Sequence, residues 1–167
     1  MSELIDLVDR NGKLIVTGVE RNDALEYPQG FMQIAVVVVF NDQGDILAHQ
    51  RASTKSVDPD CIDHICGGIQ SGQTPEQAAQ QEGDQETGVT YNRLVRAHQG
   101  VNAYNRYRYI FGAISNDTPQ TKEPDQVQWV KWAKPHELEE WRDQQTYPFV
   151  EEYFLEIELA KRALNLA

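Results

Sequence analysis

Residues 67–89 read Gly-Gly-Ile-Gln-Ser-Gly-Gln-Thr-Pro-Glu-Gln-Ala-Ala-Gln-Gln-Glu-Gly-Asp-Gln-Glu-Thr-Gly-Val, a glycine loop running into a helix. Thr74, Pro75 and Gln77 suit an N-cap, the first helical position and the third. The helix start is therefore written twice, as a capping box and as proline at N1. Gly88 supplies a left-handed stop. The spacing predicts one α-helix over Thr74–Thr87. Glu82 and Glu86 are then four residues apart and Gln85 is three from Glu82, so all three share a face. Asp84 lies about 200° round from Glu82 and points elsewhere.

The flanking segments supply a sheet. Leu4–Val8 and Lys13–Val16 bracket Asn11-Gly12, which favours a tight turn, so an N-terminal β-hairpin is expected. Phe31–Phe40 reads as a buried strand that turns at Asp42-Gln43-Gly44 and returns over Asp45–Arg51. Ile62–Cys66 is a short strand feeding the glycine loop. Leu94–Gln99, Tyr107–Ile114 and Gln126–Trp132 are further strands, and Pro135–Trp141 begins a short helix. From Pro148 to Leu166, Phe149, Tyr153, Ile157, Ala160 and Leu164 recur at helical spacing, which predicts an amphipathic closing helix. The expectation is an α/β fold with a mixed sheet and helices on both faces, in a single domain over residues 1–167.

Fifteen Lys+Arg against 26 Asp+Glu give a net charge of −11. A nucleic acid polymer, whose affinity comes from phosphate neutralisation, is a poor partner for such a chain. A small phosphorylated ligand would need local cations, and the sequence offers two sets. Arg106 and Arg108 alternate with Tyr107 and Tyr109, so the arginines share one strand face and the tyrosines the other. Arg51 and Lys55 form the second. The acidic N-terminal stretch is unlike a secretion signal, and the aliphatic block Ile34–Phe40 is far short of a membrane span, so a cytoplasmic location with no membrane partner is expected. Cys61 and Cys66 lack zinc-site spacing and read as free thiols.

The glycine loop and helix resemble the Nudix box, G-x5-E-x7-R-E-U-x-E-E-x-G-U with U aliphatic. Gly67, Glu82, Glu86, Gly88 and Val89 match it. Gln73 stands in place of the first glutamate, Gln81 of the arginine, Gly83 of the aliphatic residue and Gln85 of the middle glutamate of the metal cluster. The box is thus degenerate. Asp6–Asp9, Gln50-Arg51-Ala52-Ser53 with Lys55, and Trp129–Trp132 are similar to the branch that includes isopentenyl-diphosphate isomerase.

The resemblance implies an α/β/α sandwich. It also implies a Mg2+-dependent hydrolase, with Mn2+ as an alternative ion, acting on a nucleoside diphosphate derivative or another small diphosphate. Glu82 and Glu86 would bind metal, Gln85 would serve as a weak neutral ligand or water positioner, and Gly67 and Gly68 would let the backbone approach substrate beside Arg51, Arg106 and Arg108. Gln85, neutral where the pattern has a glutamate, predicts weakened activity, since magnesium prefers anionic oxygens. Glu123 and Asp125 are the candidate general bases. Two other functions stay open: a catalytically silent module that binds a nucleotide or a partner, and an isomerase-like enzyme, because Cys66 directly precedes Gly67. Against the isomerase, Gly68 stands where a histidine is expected. His64 alternates with Ile62 and Cys66 and reads as buried and hydrogen-bonded. In the family the first glutamate and the arginine pair, so a Gln73–Gln81 amide bond is the expected substitute brace.

Overall fold

The computed structural model describes residues 2–167. β1 (Leu4–Val8) and β2 (Leu14–Glu20) form the expected hairpin, with Gly12 at φ 81 in its turn. β2 runs four residues past the expected Val16, and a 3-10 turn over Arg21–Glu26 that the sequence reading missed follows it. A seven-stranded sheet is built from β3 (Met32–Phe40), β4 (Ile46–Arg51), β5 (Ile62–Asp63), β6 (Ile65–Gly68), β7 (Arg93–Val101), β8 (Arg106–Ile114) and β9 (Val127–Ala133). Its order is β5-β4-β3-β8-β7, with β6 also on β3 and β9 on β4. Only β3 and β8 pair in parallel, from Met32 opposite Arg106 to Phe40 opposite Ile114; the other pairs are antiparallel, so the sheet is mixed.

The strand period of two divides β3 between two cores. Ala35, Val37 and Val39 pack with Ile65, Tyr107, Tyr109 and Phe111 beneath Ala78 and Ala79 of α1 (Pro75–Glu82). Val38 and Phe40 pack on the opposite face against α2 (Pro135–Asp143) and α3 (Tyr153–Leu164), through Leu138, Tyr153, Ile157, Ala160 and Leu164. Helices on both faces make the expected α/β/α sandwich. The closing helix begins at Tyr153, later than its apolar spacing suggests, because Phe149 and Val150 lie in extended chain beside Ile62.

The hairpin also clamps the glycine loop. Asp6 accepts hydrogen bonds from the Gly18 N–H, the Ser71 hydroxyl and the Gly72 N–H at 2.9, 2.6 and 3.1 Å. Ser71 N–H donates to the Leu4 carbonyl at 2.8 Å, and Ile5 bridges to Gln70. Arg21 and Glu3 are thereby carried to the edge of β6.

Candidate functional site

The helix starts as its sequence demands: Thr74 Oγ1 accepts from the Gln77 N–H at 3.1 Å and Gln77 Oε1 accepts from the Thr74 N–H at 2.9 Å. It does not continue as α-helix to Thr87. α1 ends at Glu82, and Gly83–Thr87 form a π turn that Gly88 closes at φ 69. Two local features account for the change. The Thr87 hydroxyl donates to the Gly83 carbonyl at 2.6 Å, and the Tyr91 ring occupies the space a side chain at position 83 would need. A Cβ on Gly83 would lie 2.3 Å from Tyr91 Oη, which itself donates to the Ala79 carbonyl at 3.2 Å. Tyr91 thus fills the role of the missing aliphatic residue. The wider i→i+5 turn leaves Glu86 only 8% exposed while Gln85 is exposed.

Gly67 is needed for close approach, since a Cβ there would meet Glu82 side-chain atoms at 2.0–2.3 Å. Glu82 therefore lies flat against β6. Together with Gln85, Glu86 and Glu123 it lines a cavity of about 390 Å³ that also takes in Gly67 and Gly68. Burial, then the neighbouring charges of Glu123 and Glu3, raise the Glu82 carboxyl to about 7, while Lys55 opposes the rise. Glu86 is pushed well above the usual carboxylate range by burial, and further by Glu82 and Asp63. Its Oε2 is buried without a hydrogen-bond partner.

Two crowded carboxyls with an orphaned oxygen fit a hard divalent cation, which relieves both their repulsion and their desolvation. The Gln85 amide oxygen is a third donor on the same wall. Among the described residues, no group of three His, Cys, Asp or Glu side chains is gathered for a metal. Substrate oxygens or water would have to complete the coordination.

A second cavity of about 550 Å³ adjoins the first through the shared walls of Arg21, Ile34, Arg51, Lys55 and Cys66. Arg106 and Arg108 both line it, as their shared strand face requires, while Tyr107 and Tyr109 are buried on the other. The cations differ in how far they are engaged. Arg51 donates to Asp63 Oδ2 at 2.9 Å and to the carbonyls of Val57 and Asp58 at 2.9 and 3.0 Å, so it holds a loop. Arg108 is paired with both Glu152 and Glu156. Lys55 meets Gln126 Oε1. Among the described residues, the Arg106 side chain has only the carbonyls of Tyr104 and Asn105, at 3.3 and 3.4 Å. Glu123 is on the wall of the smaller cavity and Asp125 is on neither.

Sequence reasoning missed Glu3 and Arg21, which pair at 2.7 Å on the cavity wall, and Asp63, Glu152 and Glu156. The acids at 152 and 156 flank the start of an amphipathic helix, where carboxylates are ordinary and signal nothing. His64 is fully buried, as expected. Its Nε2 donates to the Tyr153 carbonyl at 3.0 Å, its ring stacks on Tyr153 at 3.9 Å, and burial lowers it to about 4. Cys66 is partly exposed between the cavities, and burial with the Asp63 and Glu86 charges pushes its thiol well above the usual range. That is the opposite of an activated thiol.

A mixed sheet between helical layers, with a glycine-edged strand facing two carboxylates carried by the end of α1 and its π turn, defines a class of α/β sandwich. Residues 30–153 match the Nudix domain, and the chain belongs to that family. It is 30% identical to an uncharacterised Nudix hydrolase of Nostoc sp. over 148 residues, covering 83% of this chain and 85% of the relative. It is 27% identical to the isopentenyl-diphosphate Delta-isomerase of Corynebacterium diphtheriae over 150 residues, 81% of each. In fold it resembles a crystal structure of a Deinococcus radiodurans protein, with a TM-score of 0.73 and 23% identity over 96% of this chain and 99% of that one. The Nudix domain of Shewanella oneidensis NrtR, solved with ADP-ribose, has a TM-score of 0.65 and 18% identity over 87% and 99%.

Proposed function

We propose that the chain is a divalent-metal-dependent hydrolase of small diphosphates, with Mg2+ as its ion and Mn2+ as a substitute. The observation that carries this reading is the Glu82–Glu86 pair beside Gly67, two carboxyls raised by burial and by neighbouring acids, with Glu86 Oε2 unpartnered. Membership of the Nudix family, which includes a relative described as a hydrolase, supports the reaction class.

Glu82 and Glu86 hold the cation, and Gln85 contributes a neutral oxygen or orients a water. Held by Glu82 and Glu86, such an ion would supply charge neutralisation for the diphosphate and a more acidic water. Gly67 makes room for Glu82 against β6, and Gly68 leaves the backbone beside it free to approach the phosphates. Glu123, on the wall of the same cavity, takes the proton as the water oxygen bonds to phosphorus and the bridging P–O bond breaks. Asp125 is set aside because it lines neither cavity. Arg106 and Lys55, with no carboxylate partner among the described residues, are the cations freest to meet substrate, whereas Arg51 and Arg108 shape the wall through the groups they already hold.

A screen of nucleoside diphosphate derivatives and other small diphosphates with Mg2+ and Mn2+ tests the reading. Metal-dependent product formation supports it. Tight ligand binding without turnover points instead to the silent module, and conversion of isopentenyl diphosphate points to the isomerase.

A further inference from the structure

Glu3, just before β1, and Arg21, just after β2, bring the two ends of the hairpin together over the glycine loop. A Cβ added to Gly68 would lie 3.4 Å from Arg21 Nη1 and 3.4 Å from Glu3 Oε1, so both charged ends rest beside the backbone assigned to the phosphates. Arg21 Nη1 donates to Glu3 Oε2 at 2.7 Å, and the Arg21 N–H donates to the Glu3 carbonyl at 3.0 Å. That backbone link, with the grip of Asp6 on Ser71 and Gly72, fixes where both side chains start. Only the side chains need move for the ion pair to part.

Each partner is also pressed toward the other by like charge. Burial, then Glu123 and Glu3, raise the Glu82 carboxyl; burial, then Arg21, lower the Arg106 guanidinium. Glu3 is therefore repelled from the carboxylate side and Arg21 from Arg106. An anion set between Arg21 and Arg106 would relieve the second repulsion. Parting the pair costs little, because the side chains of Arg21 and Glu3 are 50% and 30% exposed and water receives the released carboxylate. Arg51 and Arg108 differ, since their partners Asp63 and Glu156 are 9% and 4% exposed and would be left as stranded buried charges.

We propose that Glu3 is an internal competitor for the diphosphate: it occupies Arg21 in the free protein, and a phosphoanion binds Arg21 beside Arg106 only by displacing it. The competition rests on the diphosphate-hydrolase reading for the kind of anion that enters. It adds an autoinhibitory contact carried by the N-terminal hairpin.

Calorimetric titration of the whole chain with inorganic pyrophosphate, without metal, tests the competition. Glu3→Gln, which removes the charge at constant length, should bind pyrophosphate about 3- to 5-fold more tightly than the starting protein, the range an exposed ion pair supports. Arg21→Gln should bind it more weakly. In the Arg21→Gln background, adding Glu3→Gln should change affinity by less than about 2-fold. In an Arg21→Lys background, which keeps the charge, the gain from Glu3→Gln should return. A gain of equal size with and without a cation at position 21 would mean that Glu3 acts only through its field on the cavity, and overturns the proposal. So does an unchanged affinity in Glu3→Gln, or no pyrophosphate binding in any variant. Metal-dependent hydrolysis of diphosphates, followed in parallel, separates the two readings: competition without hydrolysis sinks the hydrolase reading alone, and hydrolysis without competition sinks this one alone.

Discussion

Gln73 Nε2 donates to Gln81 Oε1 at 2.7 Å, tying the glycine loop to the last turn of α1 by a neutral amide pair. The bond is one link in a run. Gln73 Oε1 accepts from the Gln70 N–H at 3.1 Å, and Gln81 Nε2 donates to Gln85 Oε1 at 3.3 Å. A glutamate–arginine pair at these positions, as the Nudix pattern has it, would do the same work with charge. Breaking such a pair on one side strands a charge, whereas replacing both partners removes that penalty. Two glutamines therefore conserve the brace.

The brace predicts coupling. Gln73→Ala and Gln81→Ala should each lower stability in urea unfolding, and the double variant should lose about 0.5–1.5 kcal/mol less than the sum. Gln81→Arg alone should be neutral or destabilising, with stability recovered when Gln73→Glu is added. A coupling within the additivity scatter of about 0.3–0.5 kcal/mol would falsify the brace.

Gly83 and Tyr91 should be complementary. A side chain at position 83 meets the Tyr91 hydroxyl at 2.3 Å and its Cζ at 2.7 Å, so Gly83→Ala should destabilise by about 1–3 kcal/mol through overpacking. In a Tyr91→Leu background the same substitution should cost less, or stabilise. Equal costs in both backgrounds, measured by thermal unfolding, would show that the ring does not hold the π turn open.

Stability without metal should respond to pH through Glu82. Its carboxyl rises from an ordinary 4.5 to about 7 on folding, so the folded state holds the proton more tightly. The stabilising contribution is full below about 4.5 and is lost as pH climbs through about 7. His49 and His64, lowered on folding to about 3 and about 4, act in the opposite sense and weaken the fold as pH falls below about 6.5. A bare pH profile mixes these effects. The informative comparison is Glu82→Gln against the starting protein: the variant should gain relative stability between pH 5 and pH 8, roughly the span of the Glu82 shift. No change in that difference would mean that Glu82 titrates normally.

Gln85 lines the cavity with Glu82 and Glu86, so Gln85→Glu should tighten Mg2+ or Mn2+ binding and raise hydrolysis. The added like charge should lower metal-free stability. Calorimetric metal titration beside phosphate release checks both, and an unchanged metal affinity would show that position 85 does not face the ion.

Much of this was legible in the chain. Thr74, Pro75 and Gln77 wrote the helix start, and the alternation of Arg106 with Tyr107 and Arg108 with Tyr109 gave the face each side chain takes. The π turn was not legible, because it depends on a hydroxyl four residues from a carbonyl and on a ring eight residues from Gly83 that arrives through the fold. The state of the arginines was hidden for the same reason. Arg51 is held by carbonyls of a loop, and Arg108 by acids more than 40 residues away, at the start of α3. Local pattern announces a cation but not its partner. The hairpin's contribution of Arg21 and Glu3 is likewise a consequence of Asp6 gripping Ser71 and Gly72.

The most direct measurement is diphosphate hydrolysis with Mg2+ by the starting protein and by Glu86→Gln, with circular dichroism to establish that both are folded. The carboxylate reading predicts metal-dependent product that falls by about 100-fold or more in the variant, since a ligand charge should matter at least as much as its supporting shell. Turnover unaffected by Glu86→Gln, or no turnover of any diphosphate at saturating metal, would contradict it.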